Sequence, residues 1–544
     1  MIRRIATVGG LTLVSRLTGF IRDVVMAAIL GAGPLADAFF VAFRLPNHFR
    51  AIFAEGAFAA AFVPAYAHTL EKAGLPAAKL FADQVASVLI AANLLLLGIA
   101  LLFTPEVVGL LAPGFTDDPE RFDLAVALTR ITFPYLALVS LETLFAGILN
   151  ANHRFATAAG APVLLNISLI CTLLLAPYFQ DAAHAAAWGV LIAGIVQVIL
   201  VGGDAETHGY GIRIRMPKLD APTRRFLKAL GPAIIGAGGV QIALFADTLI
   251  ATFLPTGALS ALYYADRINQ LPIGVVGIAV GTVLLPEMSR RLAAGDTAGA
   301  ASAQARGIQL ALLLTIPCAA AALAIPDLIM RALFARGAFT SADALAAGHT
   351  LAAYSLGLIP FVLLRSFTAP FYARGDTATP VKAAILAALV NVALKFVLMG
   401  SLAQVGLALA TSIGAWINLS LLAFLAHRQG FAVSGTAIGR PVARLAVIGF
   451  LFAAMLYAGS MGLDSALSSM TIFRDETLLA ILVVVGGLVY FAMVFALLGR
   501  GWFMGLLKEI EREADEPPLK ASERIEDFTD DSEALPDSEP PPKI

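Results

Sequence analysis

Arg16, Arg22 and Asp23 interrupt the first long apolar stretch of this chain, and Asp37, Arg44, Arg50 and Glu55 crowd the second. Guanidinium groups hold phosphate and carboxylate oxygens through paired N–H donors, so arginines gathered in this way suit a strongly anionic guest. Placing them is costly: an ionised side chain near a bilayer centre costs roughly 2.5–3.5 kcal/mol on insertion scales. Seven such residues within forty positions must therefore face protein, water or one another. Two readings follow. The acids and bases neutralise each other as structural pairs, or they line a hydrated cavity that binds an anion.

Helical phase sorts these residues further. Arg16 and Asp23 are seven apart and share a face, with Arg22 about 100° round the helix. Asp37, Arg44 and Glu55 fall on one stripe, while Pro46 should kink the helix before Arg50. Arg44 and Glu55 are the best candidates for plain structural pairing. Gly9, Gly10 and Gly19 make bending of the first helix plausible. In a later apolar stretch Asp266 and Arg267 are adjacent and point about 100° apart. Arg267 facing inward would complete a ring of guanidinium groups, for which a diphosphate is the natural guest. A second constellation joins Asp247 to Asn391 and Lys395, which are i,i+4 and share a helix face. It reads either as a buried Asp247–Lys395 ion pair or as a cation or proton-coupling site. Glu142 and Arg365, each inside an apolar helix, have no assigned role.

The elements that position these residues are membrane-spanning helices. Of 544 residues 59% are hydrophobic and 14% charged, against about 25% charged in a soluble domain. Spans of about 20 apolar residues centre on 5–30, 35–66, 81–103, 124–149, 158–178, 185–202, 229–253, 260–288, 308–325, 345–372, 380–400, 403–426, 441–462 and 477–499. Arg3 and Arg4 before an apolar run resemble a signal peptide, but Arg16 breaks that run, so the first helix is read as retained. Fourteen spans put both termini on one side. Basic residues at that side (Lys72, Lys79, Arg154, Arg213, Arg215, Lys218, Arg290, Arg291, Arg428) make it cytoplasmic by the positive-inside rule. Arg331 and Arg336 are exceptions on the opposite side.

Leu45-Pro46 recurs as Leu271-Pro272, and Pro134-Tyr135 with Ser140 recurs as Pro360-Phe361 with Ser366, both at an offset of 226; Pro64 and Pro286 are 222 apart. Six spans separate equivalent positions, so the copies share one orientation and are related by an axis along the membrane normal. The expected fold is an all-α polytopic membrane protein with two six-helix lobes in pseudo-twofold relation and two extra C-terminal helices. Its domains are an N-lobe at 1–203, a basic linker at 204–226, a C-lobe at 227–428, helices 13 and 14 at 440–499, and an acidic Pro-rich tail at 500–544, expected to be disordered. A basic amphipathic piece with Lys508 and Arg512 opens that tail.

No enzyme signature stands out. The seven histidines show no metal spacing, Cys171 and Cys318 lie far apart in apolar segments, and no Walker-type phosphate loop exists. A transporter needing no cofactor, metal or nucleic-acid partner is the expectation.

Five segments carry a family resemblance: SRLTGFIRD (15–23), ADAFFVAFRLPN (36–47), FAEGAFAAAFVP (53–64), LYYADRINQLPIGVVGIAVGTVLLP (262–286) and TPVK (379–382). Through them the chain resembles the MurJ (MviN) family of lipid II flippases, in the multidrug/oligosaccharidyl-lipid/polysaccharide exporter superfamily, over residues 1 to about 500. The resemblance implies alternating-access transport of the undecaprenyl-diphosphate-linked MurNAc-pentapeptide-GlcNAc precursor across a bacterial inner membrane for peptidoglycan synthesis, beside membrane lipids and the cell-wall synthesis machinery. It implies that Arg16, Arg22, Asp37, Arg50 and Arg267 are functionally important charges and that Asp23, Glu55 and Asp266 are further polar cavity positions. Helices 13 and 14 would form a groove for the polyprenyl tail. A family sodium site would use Asp247, Asn391 and Thr411, but Lys395 takes an acidic position, so its ammonium would stand in for the ion. The alternatives are a flippase for another lipid-linked oligosaccharide, or a drug/cation antiporter of the same superfamily, which should have a more acidic or apolar cavity.

Overall fold

The computed structural model describes residues 2–50, 57–218, 220–431, 435–470 and 472–505, which are helical with no β-strand among them. Helices satisfy every backbone N–H and C=O within one segment, which a chain this apolar requires in hydrocarbon. In the first half, α1 (Ile2–Leu30), α2 (Pro34–Arg50), α3 (Ala59–Leu102), the short α4 (Thr104–Leu111), α5 (Pro119–Thr132), α6 (Tyr135–Ala151), α7 (Ala156–Leu174) and α8 (Ala182–Thr207) follow one another. The second half repeats the series as α9 (Ala221–Ala251), α10 (Ala258–Pro272), α11 (Ile278–Ala293), α12 (Thr297–Ala324), the short α13 (Pro326–Phe334), α14 (Ser341–Ser355), α15 (Leu358–Tyr372) and α16 (Ala378–Arg428). Outside the repeat stand α17 (Gly435–Ala466) and α18 (Arg474–Leu498).

Among the described residues these helices group into fourteen crossings, with α2 and the first segment of α3 counted as one, as their repeat counterparts α10 and α11 are. The chain turns back inside α3 at Gly74 (φ 77°) and inside α16 at Ala403 (φ 45°), so each of those long elements holds two segments. Conversely α5 with α6, α10 with α11, and α14 with α15 each make one crossing with an internal break. Between α10 and α11 the break is a π-helical turn, Ile273–Gly277. Such turns insert one extra residue and concentrate at functional sites. Among the described residues ten helices are by length and composition apolar enough to cross a membrane; α1, α2 and α9, which hold Arg16, Arg22, Asp23, Asp37, Arg44 and Asp247, are not among them. Helix α1 itself runs unbroken through Gly9, Gly10 and Gly19.

The two halves match crossing for crossing, with α3 opposite α11 and α12, and α7 and α8 opposite α16. The short α4 and α13 begin 222 residues apart, α6 and α15 begin 223 apart, and the left-handed turns at Gly31 and Gly257 are separated by 226. We call the end of the bundle that carries Ile2 the near end, and the end that carries Leu30 the far end.

The linker between lobes is not a free tether. At the near end the non-helical segment after α8 is pinned along α3 by three buried polar side chains. The amides of Arg213, Arg215 and Lys218 donate to Asp83 Oδ1 (2.8 Å), Ser87 Oγ (3.0 Å) and Gln84 Oε1 (2.8 Å). Arg215 Nε adds a bond to Asp83 Oδ2 at 2.9 Å. Asp220 then caps α9, and Phe226 from its first turns packs edge-on against Phe58, Phe62 and Phe81.

Helices α17 and α18 pack on the second lobe. Gly449 of α17 brings its backbone against Ile316 of α12, and Tyr490 Oη donates to Leu313 O at 2.7 Å. At the far end Arg331 and Arg336 meet Asp475 (3.1 Å) and Glu476 (3.3 Å). The two arginines that break the charge asymmetry are therefore partners of the acids that start α18. From Phe491 the chain forms a separate unit in which Phe503 sits edge-on to Phe495. The stretch from 506, with Lys508 and Arg512, lies outside the described residues.

Candidate functional site

Asp23, two turns from the far end of α1, is the hub of a polar network that joins the lobes. Arg22 Nε and Nη2 donate to Asp23 Oδ1 at 3.0 and 2.6 Å. Tyr263 Oη, from α10 of the other lobe, donates to the same oxygen at 3.2 Å. Arg267 lies one turn further along α10, with Nη2 2.9 Å from Tyr263 Oη and Nε 3.3 Å from Asp23 Oδ2. Arg22 Nη1 also donates to Asn166 Oδ1 at 2.9 Å, and that amide donates in turn to Ser15 O and Thr18 Oγ1. Tyr263 stacks on Phe40 of α2 with ring centroids 4.0 Å apart, which fixes its hydroxyl between the charges.

Exposure separates the arginines that the sequence groups together. Arg22 is buried, whereas Arg16 and Arg267 retain open guanidinium surface. Arg16 Nη1 lies where a side-chain carbon on Gly274 would come within 2.6 Å of it, so the arginine rests on the backbone of the π-helical turn. Two guanidinium groups thus share one carboxylate, and Arg16 and Arg267, from opposite lobes, keep exposed surface that can meet an anion. This arrangement fits a ligand with two or more negative charges.

Asp37 does different work. Its side chain is fully buried at the far end, where Oδ2 accepts from Gly257 N (2.8 Å) and Oδ1 from Ser260 N (3.0 Å) and Oγ (2.6 Å). Gly257 is the N-cap of α10 and has no side chain of its own. A carboxylate of the first lobe therefore caps a helix of the second, satisfying N–H groups that would otherwise be orphaned. Arg121 Nη1 stands 3.6 Å from Asp37 and donates to Thr256. In this conformation Asp37 is a cross-lobe latch and does not face the cavity, a correction to its grouping with the cavity charges.

Close backbone contacts complete the seal. A side-chain carbon on Gly114 would lie 2.3 Å from Thr252 O, and one on Gly337 would lie 2.1 Å from Ala28 O. Both pairs join opposite lobes, and they are equivalent under the repeat. Ala338 N also donates to Ala28 O at 2.7 Å, and Gly31 approaches Ala338 in return. The far end is closed by glycines that let the lobes touch backbone to backbone.

The remaining candidates lie elsewhere. Arg44 Nη1 donates to Thr248 Oγ1 of α9 at 2.7 Å, and the pairing with Glu55 falls outside the described residues. Asp266 is half-buried and accepts from Gln270 at 2.5 Å. Arg50 ends α2, and its side chain, like Glu55, lies outside what is described. The ammonium of Lys395, itself buried, is paired with Asp247, while Thr411 donates to Leu407 O of its own helix. A sodium site built on Asp247, Asn391 and Thr411 does not fit this arrangement, because Lys395 already supplies the cation. Among the described residues no cluster of His, Cys, Asp or Glu is suited to a metal.

Sequence reasoning missed Tyr263, Asn166, Ser260 and Asp83. Tyr263 sat inside a quoted motif, but a tyrosine on an apolar helix gives no sign that its hydroxyl will sit between two arginines.

The chain matches the family model "Lipid II flippase MurJ" over residues 26–474. It is 45% identical over 507 residues to the Rhizobium meliloti protein named "Probable lipid II flippase MurJ", covering 92% of this chain and 94% of that one. A solved structure of lipid II flippase MurJ in an inward closed conformation superposes with a TM-score of 0.74 at 25% identity, over 90% of this chain and 98% of its own. An inward-facing multidrug resistance MATE transporter of the MOP superfamily shares the fold alone, with a TM-score of 0.62 at 15% identity over 76% and 94%. With two lobes meeting around shared arginines and a family match across most of its length, the chain belongs to the MurJ family of lipid II flippases.

Proposed function

We propose that this protein translocates lipid II from the cytoplasmic to the periplasmic leaflet by alternating access, supplying the precursor for peptidoglycan synthesis. The observation that carries this reading is the pair Arg16 and Arg267, one from each lobe, with open guanidinium surface beneath a sealed far end. The near end, with its basic linker, is cytoplasmic, and the sealed far end is periplasmic. Cargo reaches the arginines from the cytoplasmic leaflet, and its diphosphate bridges Arg16 and Arg267. Arg22 and Asp23 hold Arg267 in place through Tyr263, and they keep the site from binding its guest too tightly. Release of the Asp37 cap and the glycine contacts then opens the far end while the near end closes. Arg50, Glu55 and Asp266 are assigned to the cavity wall from their motif positions. The exposed apolar faces of α17 and α18, including Val447, Phe450, Val484 and Leu488, support a path for the polyprenyl tail outside the cavity.

Arg267→Ala is expected to abolish lipid II translocation while the protein still reaches the membrane. In cells depleted of the wild-type protein, lipid II should accumulate in the cytoplasmic leaflet, as read by accessibility to an external lipid II-degrading enzyme. Normal translocation by the variant, or no accumulation on depletion, would overturn this reading.

A further inference from the structure

Arg365 is an arginine inside a membrane span that the network around Asp23 does not use. Its side chain is exposed, and among the described residues its guanidinium makes no ion pair or hydrogen bond. It lies across Gly277 and Gly281, where an added side-chain carbon would stand 3.6–3.9 Å from its methylene stem. Together with Thr282, Thr368 and Tyr372 these residues line a cleft of about 260 Å³ between α11 and α15. A free guanidinium facing hydrocarbon costs roughly 2.5–3.5 kcal/mol. The Thr282 and Thr368 hydroxyls donate to Ala279 O and Arg365 O, so the guanidinium and the Tyr372 hydroxyl are the groups that make this cleft suit an anion better than a lipid chain.

The pseudo-twofold repeat makes the site selective. Under the offset of 226 that pairs Ser140 with Ser366, Arg365 falls opposite Val139, and Glu142, one turn further on, falls opposite Thr368. Glu142 lines the corresponding cavity of the first lobe, of about 380 Å³, together with Thr143, Asn150 and Gln197. The cleft of one lobe thus carries a carboxylate and that of the other a guanidinium, and an anion arriving between them is drawn to the second. Gly277 is ten residues from Arg267 along α10 and the π-helical turn, roughly 15 Å nearer the near end at 1.5 Å per residue.

We propose that the Arg365 cleft is a docking site for the diphosphate of the lipid-linked cargo, occupied before the diphosphate reaches Arg16 and Arg267. This rests on the lipid II reading and adds a capture step to it. The cargo's diphosphate sits at the inner membrane surface before uptake, and Arg365 lies on the path from that surface to Arg267. The deeper site holds three guanidinium groups and wins the transfer.

The test uses the purified full-length protein in nanodiscs with two probes, undecaprenyl diphosphate and lipid II. Arg365→Ala is expected to weaken binding of both about tenfold, the loss of one charge-assisted contact, and to make binding less salt-dependent. Arg365→Lys should recover much of the loss. In transport assays Arg365→Ala should raise the cargo concentration for half-maximal rate while keeping the maximal rate, unlike Arg267→Ala. Unchanged binding of both probes would overturn the proposal, and so would weakened binding of lipid II alone, which would move the contact to the sugar-peptide carboxylates. If Arg365→Ala does not fold, Arg365→Gln carries the same comparison. Wild-type protein that binds neither probe would remove the lipid II reading itself; normal wild-type binding with an indifferent Arg365→Ala would remove only the docking site.

Discussion

Asp37 illustrates how far a side chain's role depends on what faces it. Its type and its depth in an apolar helix were legible from the sequence, and so was the rule that it must be paired. Its partner was not legible, because the N–H groups it caps belong to a helix that begins more than two hundred residues later. Helical phase orders residues around one axis and says nothing about a neighbouring helix end. Asp23, Arg22 and Arg267 were better served, because opposite charges at matching depth in two lobes have few places to go. Replacing Asp37 by alanine should cost the closed far end about 1–2 kcal/mol, as loss of a helix cap generally does. The check is labelling of Leu259→Cys, buried in the first turn of α10, by a membrane-impermeant maleimide added to cells in a Cys171→Ser/Cys318→Ser background. Labelling should rise roughly five- to thirtyfold with Asp37→Ala if the closed state dominates; labelling equal to that of the parent would show that the cap does not hold the seal.

At the scale of elements, the long apolar runs announced themselves through hydropathy, and the fourteen spans read from the chain correspond to the crossings formed. The short α4 and α13 were not foreseen, since eight or nine residues cannot span a bilayer and leave no hydropathy signal. Yet they matter, because the loops that follow them carry Gly114 and Gly337 into the opposite lobe. The pinned linker was hidden for a related reason: Asp83, Gln84 and Ser87 look like the polar edge of a span until a separate strand of chain lies against them. Gly337 is the sharper test of the seal. It combines a left-handed backbone (φ 61°) with a 2.1 Å approach to Ala28 O. A β-branched residue there adds strain of about 1–3 kcal/mol to the clash. Gly337→Val should therefore open the far end more than Asp37→Ala does in the same labelling assay, with the protein still inserted. A far end as closed as in the parent would show that the loop can shift without parting the lobes.

For the whole molecule, the repeat was visible in a handful of prolines and a serine because kinks and breaks recur where the fold needs them. The opposite charges at Glu142 and Arg365 were visible too, but that they line corresponding clefts emerges only once α6 and α15 are aligned. The two-lobed arrangement makes one global expectation testable. A side-chain carbon on Gly31 would lie 3.3 Å from Ala338 Cβ and 2.7 Å from Ala338 O, across the lobes, so a small backbone shift brings the pair to the roughly 3.5–4.5 Å of a disulfide. Gly31→Cys/Ala338→Cys, in the background lacking Cys171 and Cys318, should cross-link under oxidation and stop translocation, with recovery after reduction. Efficient cross-linking without loss of transport would mean that the far end need not part.

The ion pairs from Arg331 and Arg336 to the start of α18 have one more consequence. They fasten the final hairpin to a single lobe, so it must travel as an outrigger whenever that lobe swings. A greasy chain lying along the outrigger would sweep sideways within the plane of the sheet of lipids, while the sugar it drags turns over at the hull.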